Sequence, residues 1–210
     1  MAKITTLRTA RGRQRLNVFL DGKFAFSLEA ELAAKEDLQA GQEISGSQVE
    51  ALARSDKFYR CFNAALRLLS YRPRSESELR ERLLRCSFDG DCIEAVVAKL
   101  KEQGLIDDLA FAQFWKDNRE SFSPRSQRLT RLELRRKGVA AGIIDHLLDK
   151  TSDADNAYRA ALSKTLSLPM SDYQSFQRRL GDYLKRRGFA YEVINLTIER
   201  IWQEKGSDSK

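Results

Sequence analysis

Histidine, cysteine and proline are scarce in this sequence, and each scarcity disfavours a class of chemistry or structure. His146 is the only histidine, which argues against a triad with a histidine base and against a metal site with several histidine ligands. Three prolines leave room for long helices. The three cysteines, Cys61, Cys86 and Cys92, fit neither a disulfide framework nor a C-x-x-C metal spacing. They predict reduced thiols in a cytoplasmic protein.

Long apolar runs and phosphate-binding loops are also missing. No stretch reaches the roughly 18 apolar residues of a membrane span, and the first residues lack the apolar core of a signal peptide. Neither G-x-x-x-x-G-K-[ST] nor G-x-G-x-x-G is present. We therefore expect a protein without catalytic residues, metal or cofactor that does not bind membranes. No sustained heptad or strongly apolar edge calls for a dimer, so we expect a monomer.

The sequence does contain an uneven excess of positive charge. The net charge is +7, and charged residues make up 32% of the chain. Residues 1–56 hold eight basic and eight acidic side chains, so the whole excess lies in the remaining part. A basic surface favours an anionic partner, which is either a nucleic acid or an acidic protein.

The first 46 residues are predicted to form strands. In "RLNVFLDGKFAFSL", apolar residues alternate on both sides of Asp21-Gly22, a pair typical of a type I′ hairpin turn. "KITTLR" is predicted to be a third strand, joined by the basic loop "TARGRQR", and "LQAGQEIS" a turn with a final strand. A module of this size buries little apolar surface, so we expect it to pack on the adjoining helical part of the chain.

From about Ser47 onward, apolar residues recur at helical spacing and define a repeat of about 50 residues. Pro73-Arg74-Ser75 returns as Pro124-Arg125-Ser126, and "LLRCSF", "LRRKGV" and "LKRRGF" superpose. Each leading leucine is followed five residues later by an apolar residue, the spacing of a Schellman helix end. Glycine fills the left-handed position of the second and third copies. Ser87 fills it in the first, where we expect a looser end.

The predicted fold is mostly α: an elongated, curved array of three tandem three-helix repeats, preceded by a small N-terminal β-hairpin-containing module. The predicted domains are a β-rich module at residues 1–50 and repeats at residues 51–106, 107–150 and 151–210. The last repeat carries a short polar tail.

Several features suggest chemistry, but each has a plainer structural interpretation. Asp107-Asp108 could be a catalytic carboxylate pair, although capping of a helix explains it better. Asp89-Gly90-Asp91 could bind calcium, but the rest of an EF-hand loop is missing, which favours a loop between helices. Trp115 and Trp202 could stack on bases, yet their helical spacing favours core packing. His146 is expected on a helix surface.

The segment "PRSQRLTRLELRRKGV" carries the densest positive charge, which only Glu133 opposes. Because an α-helix turns about 100° per residue, three of its arginines form a stripe about 60° wide. Arg136 and Lys137 fall in the last turn, where cations complement the helix dipole. The stripe is either a solvated face or a contact for an anionic partner, and similar cations recur in the third repeat. The six candidate partner-binding residues are Arg72, Arg74, Arg125, Arg128, Arg131 and Arg135, of which the last three form the stripe.

The order and spacing of the motifs resemble the RecX family of regulators of the bacterial recombinase RecA. The resemblance rests on "ALRLLSYRPRSESELRERL", "LKEQGLIDDLAFAQFWKDNR" and "LTRLELRRKGV", and it covers nearly the whole chain. The neutral N-terminal part looks like the extra segment that some members carry. The third repeat matches least distinctly, as terminal repeats often do.

The resemblance implies a non-enzymatic protein of three-helix modules that binds along the groove of the RecA–single-stranded DNA filament. Binding would inhibit filament extension, ATP hydrolysis, strand exchange and co-protease activity, and so modulate recombination, DNA repair and the SOS response. The alternative is a helical-repeat module that binds single- or double-stranded DNA directly. It predicts tight DNA binding without recombinase that weakens steeply with salt.

Overall fold

A computed structural model of the protein describes residues 1–10, 14–148, 152–169 and 172–206. The predicted basic loop around residues 11–13 and the polar tail beyond residue 206 lie outside the described residues. The fold is mostly α with an N-terminal β module, and the three-helix repeats are α2–α4, α5–α7 and α8–α10, as predicted. The elements are β1 (Ala2–Thr9), β2 (Arg15–Leu20), β3 (Lys23–Glu29), α1 (Ala30–Lys35), β4 (Glu43–Ile44), α2 (Gly46–Tyr71), α3 (Glu76–Arg85), α4 (Gly90–Glu102), α5 (Asp108–Phe122), α6 (Gln127–Arg136), α7 (Ala141–Leu148), α8 (Asp153–Thr165), α9 (Tyr173–Arg186) and α10 (Tyr191–Gly206).

The strands form one antiparallel sheet in the order β3-β2-β1-β4. Asp21 (φ 47°) and Gly22 (φ 81°) both have left-handed backbone between β2 and β3, which is the type I′ geometry predicted for this hairpin. The register pairs Leu20 with Lys23 across the turn. The hairpin prediction is therefore confirmed.

The β module packs against the beginning of α2, as its small size led us to expect. Val18 and Leu28 of the sheet share a buried core with Leu52 of α2. The buried carboxylate of Asp56 accepts a hydrogen bond from the backbone N–H of Glu29 at 2.7 Å and pairs with Nη2 of Arg15 at 3.1 Å. Apolar burial and this ion pair together hold the sheet on the helix.

Two compact units divide the described chain. One comprises residues 1–72 and 79–105, and the other comprises residues 73–78 and 106–210. In the first, burial raises the pKa of Cys61 to about 12, so its thiol stays protonated at neutral pH and is a poor nucleophile. Asp89 caps α4 by accepting the N–H of Cys92 at 3.0 Å and pairs with Lys57. Asp89 therefore caps the start of a helix, and the interpretation as a loop is wrong for Gly90 and Asp91, which lie in the first turn of α4.

All three repeats end their middle helix with the same hydrogen bonds. The N–H of Phe88 donates to the carbonyl of Leu83 at 3.4 Å, the length found for Phe189 and Leu184 in the third repeat. Ser87 adopts the left-handed conformation (φ 63°) between them, at a cost of about 1–2 kcal/mol for a residue other than glycine. The expectation of a looser end at Ser87 is therefore wrong.

Both tryptophans lie against the cores of their repeats, as their spacing indicated. The ring of Trp115 lies 5.9 Å from that of Phe111, beside the buried core of the second repeat. Trp202 contacts Tyr173 and Phe176, with ring centroids 5.1 and 5.3 Å apart. Core packing accounts for these two side chains without a ligand.

Candidate partner-binding surface

The repeated Pro-Arg-Ser motif lies where one repeat meets the middle helix of the next. The hydroxyl of Ser75 caps α3 by accepting the N–H of Glu78 at 3.1 Å, and it donates to the carbonyl of Lys137 at 2.6 Å. The N–H of Ser126 donates to the carbonyl of Arg187 at 3.0 Å. In both copies, the serine at the start of one middle helix donates a hydrogen bond to a carbonyl group at the end of the next middle helix. That carbonyl has no partner within its own helix.

Glycine at these two helix ends is required for the contact as well as for backbone conformation. A Cβ on Gly138 (φ 78°) would lie 2.7 Å from Oγ of Ser77 and nearer still to its Cβ. A Cβ on Gly188 (φ 86°) would lie 2.7 Å from Oγ of Ser126. No Pro-Arg-Ser motif precedes the first repeat in the sequence, which explains why Ser87 suffices there.

The contact between a Pro-Arg-Ser motif and the next repeat, which we call the repeat junction, includes an aspartate from the start of that next repeat. Asp107 caps its own helix, α5, by accepting the N–H of Leu109 at 2.7 Å. Its neighbour Asp108 instead accepts the N–H of Glu76, at the start of α3, at 2.9 Å. Asp153 does the same for Gln127 of α6, at 2.7 Å. Capping explains both acidic residues of the Asp-Asp pair. The sequence predicted the cap on α5 but not the contact of Asp108 with the start of α3.

The partly buried Arg125 belongs to a network centred on Glu133. The Glu133 side chain is 13% exposed and forms an ion pair with Arg125. It also accepts hydrogen bonds from Nε1 of Trp115 and Nε of Arg119, both at 2.8 Å. The guanidinium of Arg119 in turn lies 4.6 Å from the Trp115 ring centroid. Arg125 therefore has an internal ion-pair partner, which it shares with Arg119.

We expect Glu133→Gln to lower the free energy of unfolding by about 2–3 kcal/mol, because two partly buried guanidinium groups lose their carboxylate. Urea denaturation followed by tryptophan fluorescence measures this loss. Glu192→Gln, which changes an exposed carboxylate in the first turn of α10, serves as the control and should leave the midpoint nearly unchanged. Equal midpoints for the two variants would contradict the structural role of Glu133.

Arg131, the middle member of the stripe, also has an internal partner. It forms an ion pair with Asp145 of α7. The first repeat has the same arrangement, since Arg80 Nε and Nη2 donate to the two carboxylate oxygens of Glu94 at 2.7 and 2.9 Å. Both pairs join the middle helix to the third helix across the same spacing in sequence. This recurrence indicates a structural ion pair.

Arg128 and Arg135 are the stripe members that face solvent. Both are exposed, and neither has an ion-pair or hydrogen-bond partner among the residues that the structure describes. Arg136 beside them is exposed as well. Arg128 and Arg135 are seven residues apart, which places them on one face of α6 about 10 Å apart along its axis.

Arg72 and Arg74 flank the first proline at the end of α2. Both are half-buried, and both take part in polar or charged interactions within the protein. Arg72 follows the last residue of α2 in an extended conformation (φ −168°). The structure thus gives these two arginines intramolecular roles that their sequence neighbourhood did not reveal.

The last cations before the two glycines belong to the repeat junctions. Nζ of Lys137 pairs with Glu78 at 2.5 Å and lies 5.1 Å from the Trp115 ring centroid. Nη1 of Arg187 donates to Oγ of Ser123 at 3.0 Å and to the carbonyl of Pro124 at 2.9 Å. Lys137 therefore contacts the preceding repeat in addition to its predicted role at the helix end, and Arg187 makes the equivalent contact in the third repeat.

Exposed cations recur on α9 at the positions equivalent to those of α6. Because the end of α9 meets the start of α6 at Ser126 and Arg187, cations of both helices flank this junction. None of the α9 cations has an ion-pair partner in the described part of the chain. At these equivalent positions the exposed residues are Arg128, Arg135 and Arg136 on α6 and Arg178, Lys185 and Arg186 on α9, whereas the exposed Arg179 of α9 corresponds to Leu129. We refer to these six as the cationic surface.

The described residues contain no cluster of three or more histidine, cysteine, aspartate or glutamate side chains able to hold a metal ion. Among them, no helix combines the length and apolarity that crossing a membrane requires. His146 lies on α7, where its side chain is exposed, beside a shallow depression lined by Leu109 and Gln113.

Comparisons with known proteins match this architecture over nearly its full length. Residues 2–45 match the family model for the regulatory protein RecX N-terminal domain, and residues 61–100 match the model for the RecX first three-helix domain. A regulatory protein RecX of Clostridium beijerinckii is 33% identical over 208 residues, covering 96% of each chain. That of Clostridium perfringens strain SM101 is 30% identical, covering 96% of this chain and 97% of its own. A crystal structure of regulatory protein RecX superposes with a TM-score of 0.68 at 26% identity, covering 95% of this chain and 100% of the other.

Proposed function

Because the chain belongs to the RecX family of regulatory proteins, we propose that it regulates the bacterial recombinase RecA by binding the filament that RecA forms on single-stranded DNA. Binding inhibits filament extension and thereby lowers ATP hydrolysis, strand exchange and co-protease activity. The protein acts without catalysis of its own and in the cytoplasm, and it modulates recombination, DNA repair and the SOS response.

The cationic surface is the observation that supports this proposal best. Folding leaves its six side chains exposed, whereas Arg125, Arg131, Lys137 and Arg187 are engaged within the protein. Cations at equivalent positions of successive repeats suit an acidic partner surface that itself repeats, as a filament does. Contacts of modest strength then add through effective concentration.

Direct binding to DNA is the second candidate, since the same six cations could contact phosphates. The stripe lacks the arrangement of a helix that reads bases, because Arg131 is paired with Asp145. We therefore assign DNA binding a secondary role.

The proposed function is tested by the ATPase activity of RecA on single-stranded DNA. We expect the protein to reduce the rate of ATP hydrolysis at concentrations below that of RecA, because a filament regulator acts on many protomers at once. A control in which hydrolysis by a recombinase-independent ATPase is unaffected excludes general interference. ATP hydrolysis that stays unchanged up to an equimolar concentration would contradict the proposal.

A further inference from the structure

One strongly exposed aromatic residue stands at the same position of the first and second repeats. Tyr71 is the last residue of α2, and Phe122, 51 residues later, is the last residue of α5. Their side chains are 80% and 82% exposed, more than any other aromatic residue that the structure describes. Because the position is equivalent, the first two repeats share this exposure.

The sequence itself keeps these rings at the surface. A proline stands two residues after each aromatic, at Pro73 and Pro124, and it prevents the helix from continuing. No further turn of the same helix can then cover the ring. A single exposed apolar side chain is ordinary on a protein surface, but its recurrence at the equivalent position of the first two repeats favours a contact with a partner.

Tyr71 lies at the rim of an open cavity of about 930 Å³ in the first unit. The cavity is lined by apolar, basic and acidic side chains, among them Leu68, Arg60, Arg67, Glu29 and Glu31. Arg67 precedes Tyr71 by four residues on α2 and lines the same cavity, so a cation neighbours the exposed ring. A partner segment in which apolar residues are accompanied by carboxylates suits this pair.

Phe122 in the second unit also has cations nearby. The next residue, Ser123, accepts a hydrogen bond from Arg187 at 3.0 Å, which places the end of α5 beside the end of α9. Lys185 and Arg186 are exposed there, and Arg128 is exposed at the start of the adjoining α6. Phe122 is thus continuous with the cationic surface.

We propose that Tyr71 and Phe122 are equivalent anchors, one in each of the first two repeats, which insert into apolar pockets with acidic rims on protomers of the recombinase filament. This inference rests on the proposed function and names the side chains that would contribute most to affinity. Tyrosine, tryptophan and arginine are enriched among the residues that dominate protein–protein affinity. Proteins that bind single strands instead stack successive bases on several aromatics along one groove, and each repeat offers only one exposed ring here.

The test compares Tyr71→Ala, Phe122→Ala and the double variant with wild type. Binding is measured by fluorescence anisotropy to RecA filaments assembled on labelled single-stranded DNA with a slowly hydrolysed ATP analogue, and to the same DNA alone. We expect each single variant to bind the filament about tenfold more weakly, and the double variant about a hundredfold more weakly. Affinity for DNA alone and the melting temperature should not change, because both rings are exposed.

Tyr191→Ala is the matched control. Tyr191 is 77% exposed at the start of α10, and the equivalent positions of the other repeats hold no aromatic residue. An equal loss in this control, unchanged filament affinity in the double variant, or a parallel loss on DNA alone would overturn the anchor assignment while the proposed function stood. Wild-type protein that does not bind the filament would refute both.

Discussion

Replacing Arg128 and Arg135 together by glutamate is expected to raise the concentration needed for half-maximal inhibition of RecA ATPase at least about tenfold. The two cations face solvent and have no partner in the described residues, so the change removes attraction and adds repulsion toward an acidic surface. Their exposure also means that the fold should be unaffected, with a change in melting temperature of no more than about 2 °C.

The control for this variant carries the same change in net charge elsewhere. Lys23 of the β-hairpin and Arg54 of α2 are both exposed, and replacing both by glutamate tests whether net charge alone weakens inhibition. Inhibition by the control should stay within about twofold of wild type. If both double variants lose inhibition equally, the effect belongs to the overall charge and the assignment to α6 fails.

Arg131→Ala, by contrast, should act through stability. Removing Arg131 leaves Asp145 without its partner and breaks a link between α6 and α7. Since the Arg80–Glu94 pair forms the same link in the first repeat, Arg131 belongs to the scaffold and not to the cationic surface.

Gly138→Ala should lower the free energy of unfolding by about 2–4 kcal/mol, the sum of a left-handed conformation that alanine disfavours and a steric clash with Ser77. For a chain of this length, such a loss corresponds to a fall in melting temperature of roughly 5–15 °C. Differential scanning calorimetry provides the measurement.

Alanine variants of two other glycines separate the cost of the left-handed backbone from the cost of the steric clash. Gly104 (φ 67°) has left-handed backbone but open space where alanine would place its Cβ, so Gly104→Ala should show only the conformational cost of about 1–2 kcal/mol. Gly142 lies in α7 with neither constraint, and Gly142→Ala should be neutral or slightly stabilising. If the Gly138→Ala and Gly104→Ala variants melt at the same temperature, the clash with Ser77 adds nothing to the loss of stability, and this part of the prediction is wrong.

The fold was predictable because its signals are local. Alternation around Asp21-Gly22 determines the hairpin, and the spacing of apolar residues with glycine helix ends determines the middle helices. The prediction of a looser helix end at Ser87 was wrong because it assumed that the helix end alone requires glycine. At Gly138 and Gly188, glycine also makes room for the preceding repeat, and that contact is not encoded in the neighbouring residues.

The candidate site was less predictable, because whether an arginine is paired within the protein or free to contact a partner depends on residues distant in sequence. Helical angles alone assigned Arg128, Arg131 and Arg135 to one stripe and could not show that Asp145 pairs with Arg131. A signal existed, since aligning the repeats places Arg131 and Asp145 over Arg80 and Glu94 at the same spacing. Arginines that form the same ion pair in two repeats are better assigned to the scaffold. Arginines that are exposed in two repeats are better assigned to the surface that contacts a partner.

Binding affinity over a salt series, with and without recombinase, tests the central claim most directly. Labelled single-stranded DNA is titrated with the protein, alone and as a RecA filament, from about 50 to 200 mM salt. We predict tight binding to the filament across this range and weak binding to DNA alone that disappears as salt rises. Equal affinity for bare DNA and for the filament, with the same steep salt dependence, would contradict regulation through the recombinase and identify a DNA-binding module.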